Sequence, residues 1–263
     1  MFRPEAPLYD PDRFRAGLRL KRLCFHIPNP ADRTASGPPS ATISYTMQDI
    51  HRTAWENVRG FEPVSLCDWP GHVCAVVFLG GCNLLCPTCH NHQLAWTPNV
   101  VPPVPRSGIL GYLREKAGWL DGVTVSGGEP SIAPGLGSLL LDLRGSGLPV
   151  KMDTNGMRPG VVRELLEQDL VQVFAVDVKG PWDRYSALTG GAADGDRAKS
   201  RLQSIFTLAG EYPDRFYFRC TRVPGLSEAD LETVRGQLPA GFSLRVQKFI
   251  PPVGTMADPR HVA

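Results

Sequence analysis

The sequence predicts an α/β fold: parallel strands with helical crossovers, arranged as an open or partial barrel of six β units, behind an irregular N-terminal extension. Three observations carry this. Strand-type and helix-type runs alternate from residue 73 onward, and such alternation with short connections implies parallel strands joined by right-handed crossovers. The strand runs are apolar on one face and charged on the other. The first 46 residues, with their "NPADRTASGPPSATIS" segment, hold no sustained period and read as loop. A flat doubly wound sheet is the rival architecture.

Taken in order, the chain divides into an extension over 1–59, with a short helix expected at 47–57, and a patterned domain over 60–263. Strands are expected at 73–79, 122–126, 149–154, 171–178, 215–222 and 243–249. Helices are expected near 105–118, 135–146, 159–168, 196–209 and 226–237, the last started by the acid-rich "SEAD" with Ser227 as its cap. About 25 residues separate the first of these strands from the first helix, and connections of that length are usually functional.

Side chains alternate in direction along a strand. Val150 and Met152 therefore oppose Lys151 and Asp153; Phe174 and Val176 oppose Ala175 and Asp177; Phe216 and Phe218 oppose Tyr217 and Arg219. With helices on the apolar faces, charge lines the barrel interior. A polar ligand is favoured as its explanation, and internal ion pairing, such as Asp177 with Lys151, is the alternative.

Composition excludes several classes. A net charge of +2 over 263 residues gives no case for a nucleic-acid or membrane surface. No apolar run reaches the ~20 residues that span a bilayer, so a cytoplasmic location is expected. Seven cysteines make a poor disulfide framework, and clustered thiols in a reducing compartment more often bind metal.

The cluster is "GGCNLLCPTCHNH", with Cys82, Cys86 and Cys89 inside the long connection. Thiolates in a short loop suit soft metals. Three of them fit a [4Fe–4S] cube that leaves one iron open to a small molecule. A zinc site that recruits His90 or His92, and thiols unrelated to one another, remain alternatives. "VTVSGGEPS" (123–131) ends a strand with glycines that let a ligand approach the backbone, and Glu129 adds a negative charge; its bland reading is a plain turn. "DTNG" (153–156) reads equally as a turn or as a hydroxyl- or cation-binding pair, Asp153 and Asn155. Asp177 and Lys179 lie two apart on the polar face, within reach of one ligand. Cys67, Cys74 and Cys220 are expected to pack as small hydrophobes.

Together these stretches resemble the radical S-adenosylmethionine (SAM) superfamily, whose cluster motif matches Cys82-x3-Cys86-x2-Cys89 and whose methionine-binding motif matches Ser126-Gly127-Gly128-Glu129. More closely, "SLCDWPGHVCAVVFLGGCNLLCPTCHN", "DTNG", "DVKGPWDRYSALTG", "RVPGL" and "VQKFIPP" resemble activating enzymes of glycyl-radical proteins, above all those of anaerobic ribonucleoside-triphosphate reductase. The resemblance covers 60–252. It implies a partial (β/α)6 radical-SAM barrel, a [4Fe–4S] cluster on Cys82, Cys86 and Cys89, and SAM on its open iron. It further implies that Gly127, Gly128 and Glu129 hold the methionine amino group, and that Asp153, Asp177 and Lys179 lie in or beside the SAM pocket. Thr88 stands where an aromatic residue commonly precedes the last cysteine, a departure from the usual adenine packing, and what the resemblance implies for it is a backbone contact to adenine. The implied activity is an oxidoreductase that cleaves SAM and makes a glycyl radical on a partner enzyme. No catalytic side chain is needed beyond cluster and SAM, and the electron comes from a donor such as flavodoxin or ferredoxin. Activation of a pyruvate formate-lyase-like enzyme, small-molecule radical chemistry and a non-catalytic zinc or electron-transfer module are the alternatives.

Overall fold

The computed structural model describes residues 53–251; the irregular run expected over 1–46, and all but the end of the helix expected at 47–57, lie outside them. Among the described residues seven strands form one sheet in sequence order: β1 (Val58–Ser65), β2 (Cys74–Leu79), β3 (Gly122–Gly127), β4 (Val150–Thr154), β5 (Val173–Asp177), β6 (Phe216–Arg222) and β7 (Leu244–Lys248). β1 runs antiparallel to β2, and every later neighbour pair is parallel.

That order decides between the two architectures. A doubly wound sheet reverses its strand order, which sends helices to both faces. Here the order never reverses, so right-handed crossovers place their helices on one side and the sheet wraps into a partial barrel. Its two edges are β1 and β7.

Among the described residues seven α-helices connect the strands. α1 (His92–Trp96) is short and interrupts the long connection; α2 (Arg106–Lys116) completes the crossover to β3. α3 (Leu136–Arg144), α4 (Pro159–Glu167), α5 (Tyr185–Leu188), α6 (Gly195–Glu211) and α7 (Glu228–Gln237) follow. Their starts have local causes. Proline opens α4, where its missing N–H costs nothing. Asp194 accepts the Arg197 N–H before α6. Ser227 caps α7 as expected, in a reciprocal box with Asp230.

The apolar strand faces, including Val125, Met152, Phe174 and Phe218, join the helical Leu113, Leu139, Val162 and Leu202 in one core in which each is wholly buried or nearly so. Fixing the helices outside leaves the charged strand faces to line the interior.

β1 has no counterpart among the expected strands. Its sequence, VRGFEPVS, carries Gly60, Glu62 and Pro63, residues depleted from strands but tolerated on an edge. The core also starts earlier than Gly60: Ala54, Trp55 and Val58 are buried. Trp55 stands in a 3-10 turn (Ala54–Asn57), the only part of the helix expected at 47–57 among the described residues, and its indole donates to Asp142 Oδ2 of α3 at 2.7 Å.

A candidate cofactor cavity at the carboxyl ends of the strands

The β2–α1 connection holds the three clustered cysteines, and hydrogen bonds to four neighbouring segments shape it. Gly81 N–H donates to Leu94 O (2.8 Å) and Leu85 N–H to Thr189 O (3.1 Å). The Asn155 amide, just past β4, donates to Asn83 Oδ1 at 2.8 Å. The Asn91 amide donates to the Gly127 carbonyl at 3.3 Å.

Gly127 and Gly128 explain why β3 ends as it does. Gly127 sits at φ +112°, a conformation that side chains disfavour, and a Cβ there would lie 2.3 Å from Leu79 O. A Cβ on Gly128 would lie 1.9 Å from Gly81 O. The chains touch because Gly128 N–H donates to Leu79 O and Glu129 N–H to Gly81 O, both at 2.8 Å. The glycine pair thus locks the cysteine connection onto β3.

Around this junction lies a cavity of about 560 Å³. Cys82, Cys86, Thr88 and Cys89 line it from the connection; Gly127, Gly128, Glu129, Asp153, Asp177 and Lys179 line it from the strand ends. All ten sequence-selected residues meet in one space. Arg219 and Asn155 line it as well. Arg219 was placed on the polar face by strand alternation but not selected, because no motif surrounds it.

The charges inside are largely paired. Lys151 contacts Asp153 Oδ1, and Arg219 spans both acids, with Nη2 3.0 Å from Asp153 Oδ2 and Nε on Asp177 Oδ1. Lys179 Nζ lies 3.0 Å from Asp177 Oδ2, and Ser126 Oγ donates to Asp153 Oδ2 at 2.8 Å. Internal pairing therefore accounts for these charges without a ligand. The pairing is not the expected Asp177–Lys151 one: each lysine takes the acid two residues away along the chain, and Arg219 joins the two pairs. Burial alone would raise both acids. Arg219 first, then Lys151 for Asp153 and Lys179 for Asp177, more than offsets it and holds both below the usual carboxylate range.

Glu129 is 1% exposed. Its Oε1 accepts from Ser131 N (3.2 Å), Ser131 Oγ (2.5 Å) and Thr154 Oγ1 (2.7 Å), and its Oε2 from Asn155 N (2.7 Å). A carboxylate oxygen accepts more than one donor, so Oε2 keeps acceptor capacity.

The donor set fits an iron–sulfur cube. Burial pushes all three clustered thiols up, Cys82 to about 12, so metal coordination is what would make them thiolates. No three His, Cys, Asp or Glu side chains among the described residues converge on a single ion; a cube takes one thiolate at each of three separate irons. His90 Nδ1 lies 3.2 Å from Ile250 O, and the His92 ring leans on Trp96. Of the other cysteines, Cys74 and Cys220 are buried as expected, whereas Cys67 is exposed and lines the cavity. The expectation that it packs as a small hydrophobe is corrected: it lies in the turn after β1, beside Ser65 and Asp68.

A one-sided parallel barrel with a three-cysteine connection above its strand ends defines the class: a barrel built to hold a metal cluster beside a polar ligand. Residues 76–236 match the family model of the radical SAM superfamily. A Methanocaldococcus jannaschii protein, provisionally named a glycyl-radical enzyme activating enzyme, is 30% identical over 202 residues, covering 74% of this chain and 80% of that protein. The pyruvate formate-lyase-activating enzyme of Clostridium pasteurianum is 31% identical over 142 residues, 51% of this chain and 57% of that one. The 7-carboxy-7-deazaguanine synthase of Neisseria meningitidis serogroup B is 35% identical over 103 residues, 39% of this chain and 45% of that one; the chain spans about half the length of these last two. The chain belongs to the radical SAM superfamily, whose members use a [4Fe–4S] cluster and SAM.

Proposed function

We propose that this chain is a glycyl-radical enzyme activating enzyme: it binds a [4Fe–4S] cluster through Cys82, Cys86 and Cys89, binds SAM on the open iron, and acts on a glycine of anaerobic ribonucleoside-triphosphate reductase in the cytoplasm. When bound and reduced by a donor such as flavodoxin or ferredoxin, the cluster and SAM supply one-electron cleavage of the sulfonium and hydrogen-atom abstraction. The chain's own residues hold and orient. Gly127 and Gly128 present backbone beside the cysteines, and Glu129 Oε2 accepts from the methionine ammonium. Asp153, Asp177 and Lys179 face the rest of the nucleotide, and Thr88 offers its backbone to adenine.

The observation that carries this reading is that the three thiols and the Ser-Gly-Gly-Glu segment line one cavity. A protein substrate is supported by a groove of about 630 Å³ beside it, which shares Val223, Gln247, Lys248 and Phe249 with the cavity. The groove gives an extended segment a path in. Leu85 and Ile250 stand 53% and 63% exposed nearby, an apolar rim for a partner surface.

The test is anaerobic co-incubation with the reductase, a reductant and SAM, read by electron paramagnetic resonance. A glycine radical on the reductase is expected; its absence, with SAM cleavage intact, rejects this partner. A pyruvate formate-lyase-like partner or a small-molecule substrate is the second reading, favoured by the likeness to the clostridial and Neisseria enzymes.

A further inference from the structure

Lys151 is a fully buried lysine, 0% exposed, and it does not line the cavity. Burying an ammonium is costly, and an apolar side chain of similar volume is often neutral or better in such a place. Its ammonium stands 5.9 Å over the Tyr217 ring, and its one described salt bridge is to the wall of the cavity, Asp153 Oδ1, one alternation further along β4.

The division of labour at Asp153 is asymmetric. Oδ2 receives Ser126 Oγ and Arg219 Nη2, while Oδ1 receives Lys151. Lys151 thereby decides how the carboxylate plane lies. It also decides how Arg219 is shared, because that guanidinium spans Asp153 through Nη2 and Asp177 through Nε. Without Lys151 the buried Oδ1 loses its partner. Two forked N–H groups on one carboxylate is the geometry a guanidinium prefers, so Arg219 is drawn toward Asp153 and away from Asp177. Lys179, paired with Asp177, then loses the arrangement that faces the cavity.

We infer that Lys151 is a positioning residue for SAM: from behind the cavity wall it fixes Asp153, and through Arg219 also Asp177 and Lys179, in the arrangement that binds the nucleotide. The inference rests on the SAM-binding reading of this cavity. It concerns SAM affinity, not cluster assembly, because Lys151 touches none of the three clustered cysteines.

The experiment uses the full chain with its cluster reconstituted anaerobically. Iron and sulfide content, thermal midpoint and SAM affinity by equilibrium dialysis are measured for wild type, Lys151→Met, Lys151→Gln and Lys151→Arg. Lys151→Met is expected to keep its iron and sulfide while SAM affinity falls about tenfold, because Asp153, Asp177 and Lys179 leave the arrangement that binds the nucleotide. Lys151→Arg, which keeps the charge and the donors, is expected to bind within about threefold of wild type. A lysine that serves stability alone would lower the midpoint of Lys151→Met and leave its SAM affinity unchanged, and that result overturns the inference while the SAM reading stands. Should Lys151→Met fail to fold, Lys151→Gln decides in the same terms: its amide is uncharged and one bond shorter, so it does not restore the ammonium's bond to Asp153 Oδ1, and an unchanged SAM affinity overturns the inference. Wild-type protein that holds iron and sulfide yet binds no SAM overturns both.

Discussion

At Gly128 the tolerance of the structure is smallest. A methyl group there meets the Gly81 carbonyl oxygen at 1.9 Å, and backbone cannot swing aside as a side-chain tip can. Gly128→Ala is expected to cost about 2 kcal/mol of stability, read as a lower thermal midpoint, and to loosen the cysteine connection; an unchanged midpoint contradicts the packing described. Replacing Cys82, Cys86 or Cys89 by Ala is expected to abolish SAM cleavage and lower bound iron, and unchanged turnover in any of the three would remove that residue from the cluster. Lys179→Ala is expected to weaken SAM binding more than cluster assembly, as titration of reconstituted protein would show. The paired acids set a pH dependence. Asp153 and Asp177 titrate below the ordinary value of 3.8 when folded, so the unfolded chain binds more protons near that pH. Their stabilisation is therefore complete above it and is lost as pH falls toward the folded values. Asp177→Asn, though less stable near neutral pH, is expected to lose less of its thermal midpoint between about pH 5 and pH 3 than wild type.

Strands and crossover helices were legible because they obey simple periods. The six strands from β2 onward fall within one or two residues of their expected ends, since their apolar faces pack on helices and their polar faces do not. β1 was not legible: Arg59, Gly60, Glu62 and Pro63 break any strand period, and its pairing is irregular on both sides of Gly60–Glu62. An edge strand needs only one partner, so tertiary pairing decides what local sequence does not. The site divides similarly. Motif spacing reached the cysteines, the Gly-Gly-Glu segment and the two strand-end acids. Strand alternation put Arg219 on the right face but said nothing of its bridging role, because a bridge between β4 and β5 built from β6 depends on register. The glycines were read as backbone that a ligand can approach, and both line the cavity; the sequence did not show that a Cβ on either would meet the Leu79–Gly81 backbone. The turn before β1 tests how early the folded unit begins. Trp55→Ala is expected to cost about 3 kcal/mol by emptying a buried site and removing the bond to Asp142; a melt indistinguishable from wild type would put Trp55 outside the core.

The monotonic strand order has a functional consequence. Placing every crossover on one side curls the sheet, turns its charged face inward and gathers the strand ends around the β2–α1 connection. Thiols, glycines and paired charges from distant parts of the chain thereby meet in one cavity. None of the helices among the described residues is long and apolar enough to cross a membrane. The proposed activity depends on a cluster held by three thiols with one iron left for SAM. It is tested most directly by electron paramagnetic resonance of the anaerobically reconstituted, reduced protein before and after SAM is added, with metal analysis of the same sample. About four irons and four sulfides per chain, and a signal that shifts when SAM binds, are expected. Zinc in place of iron, or a cluster signal that SAM leaves unmoved, would contradict it.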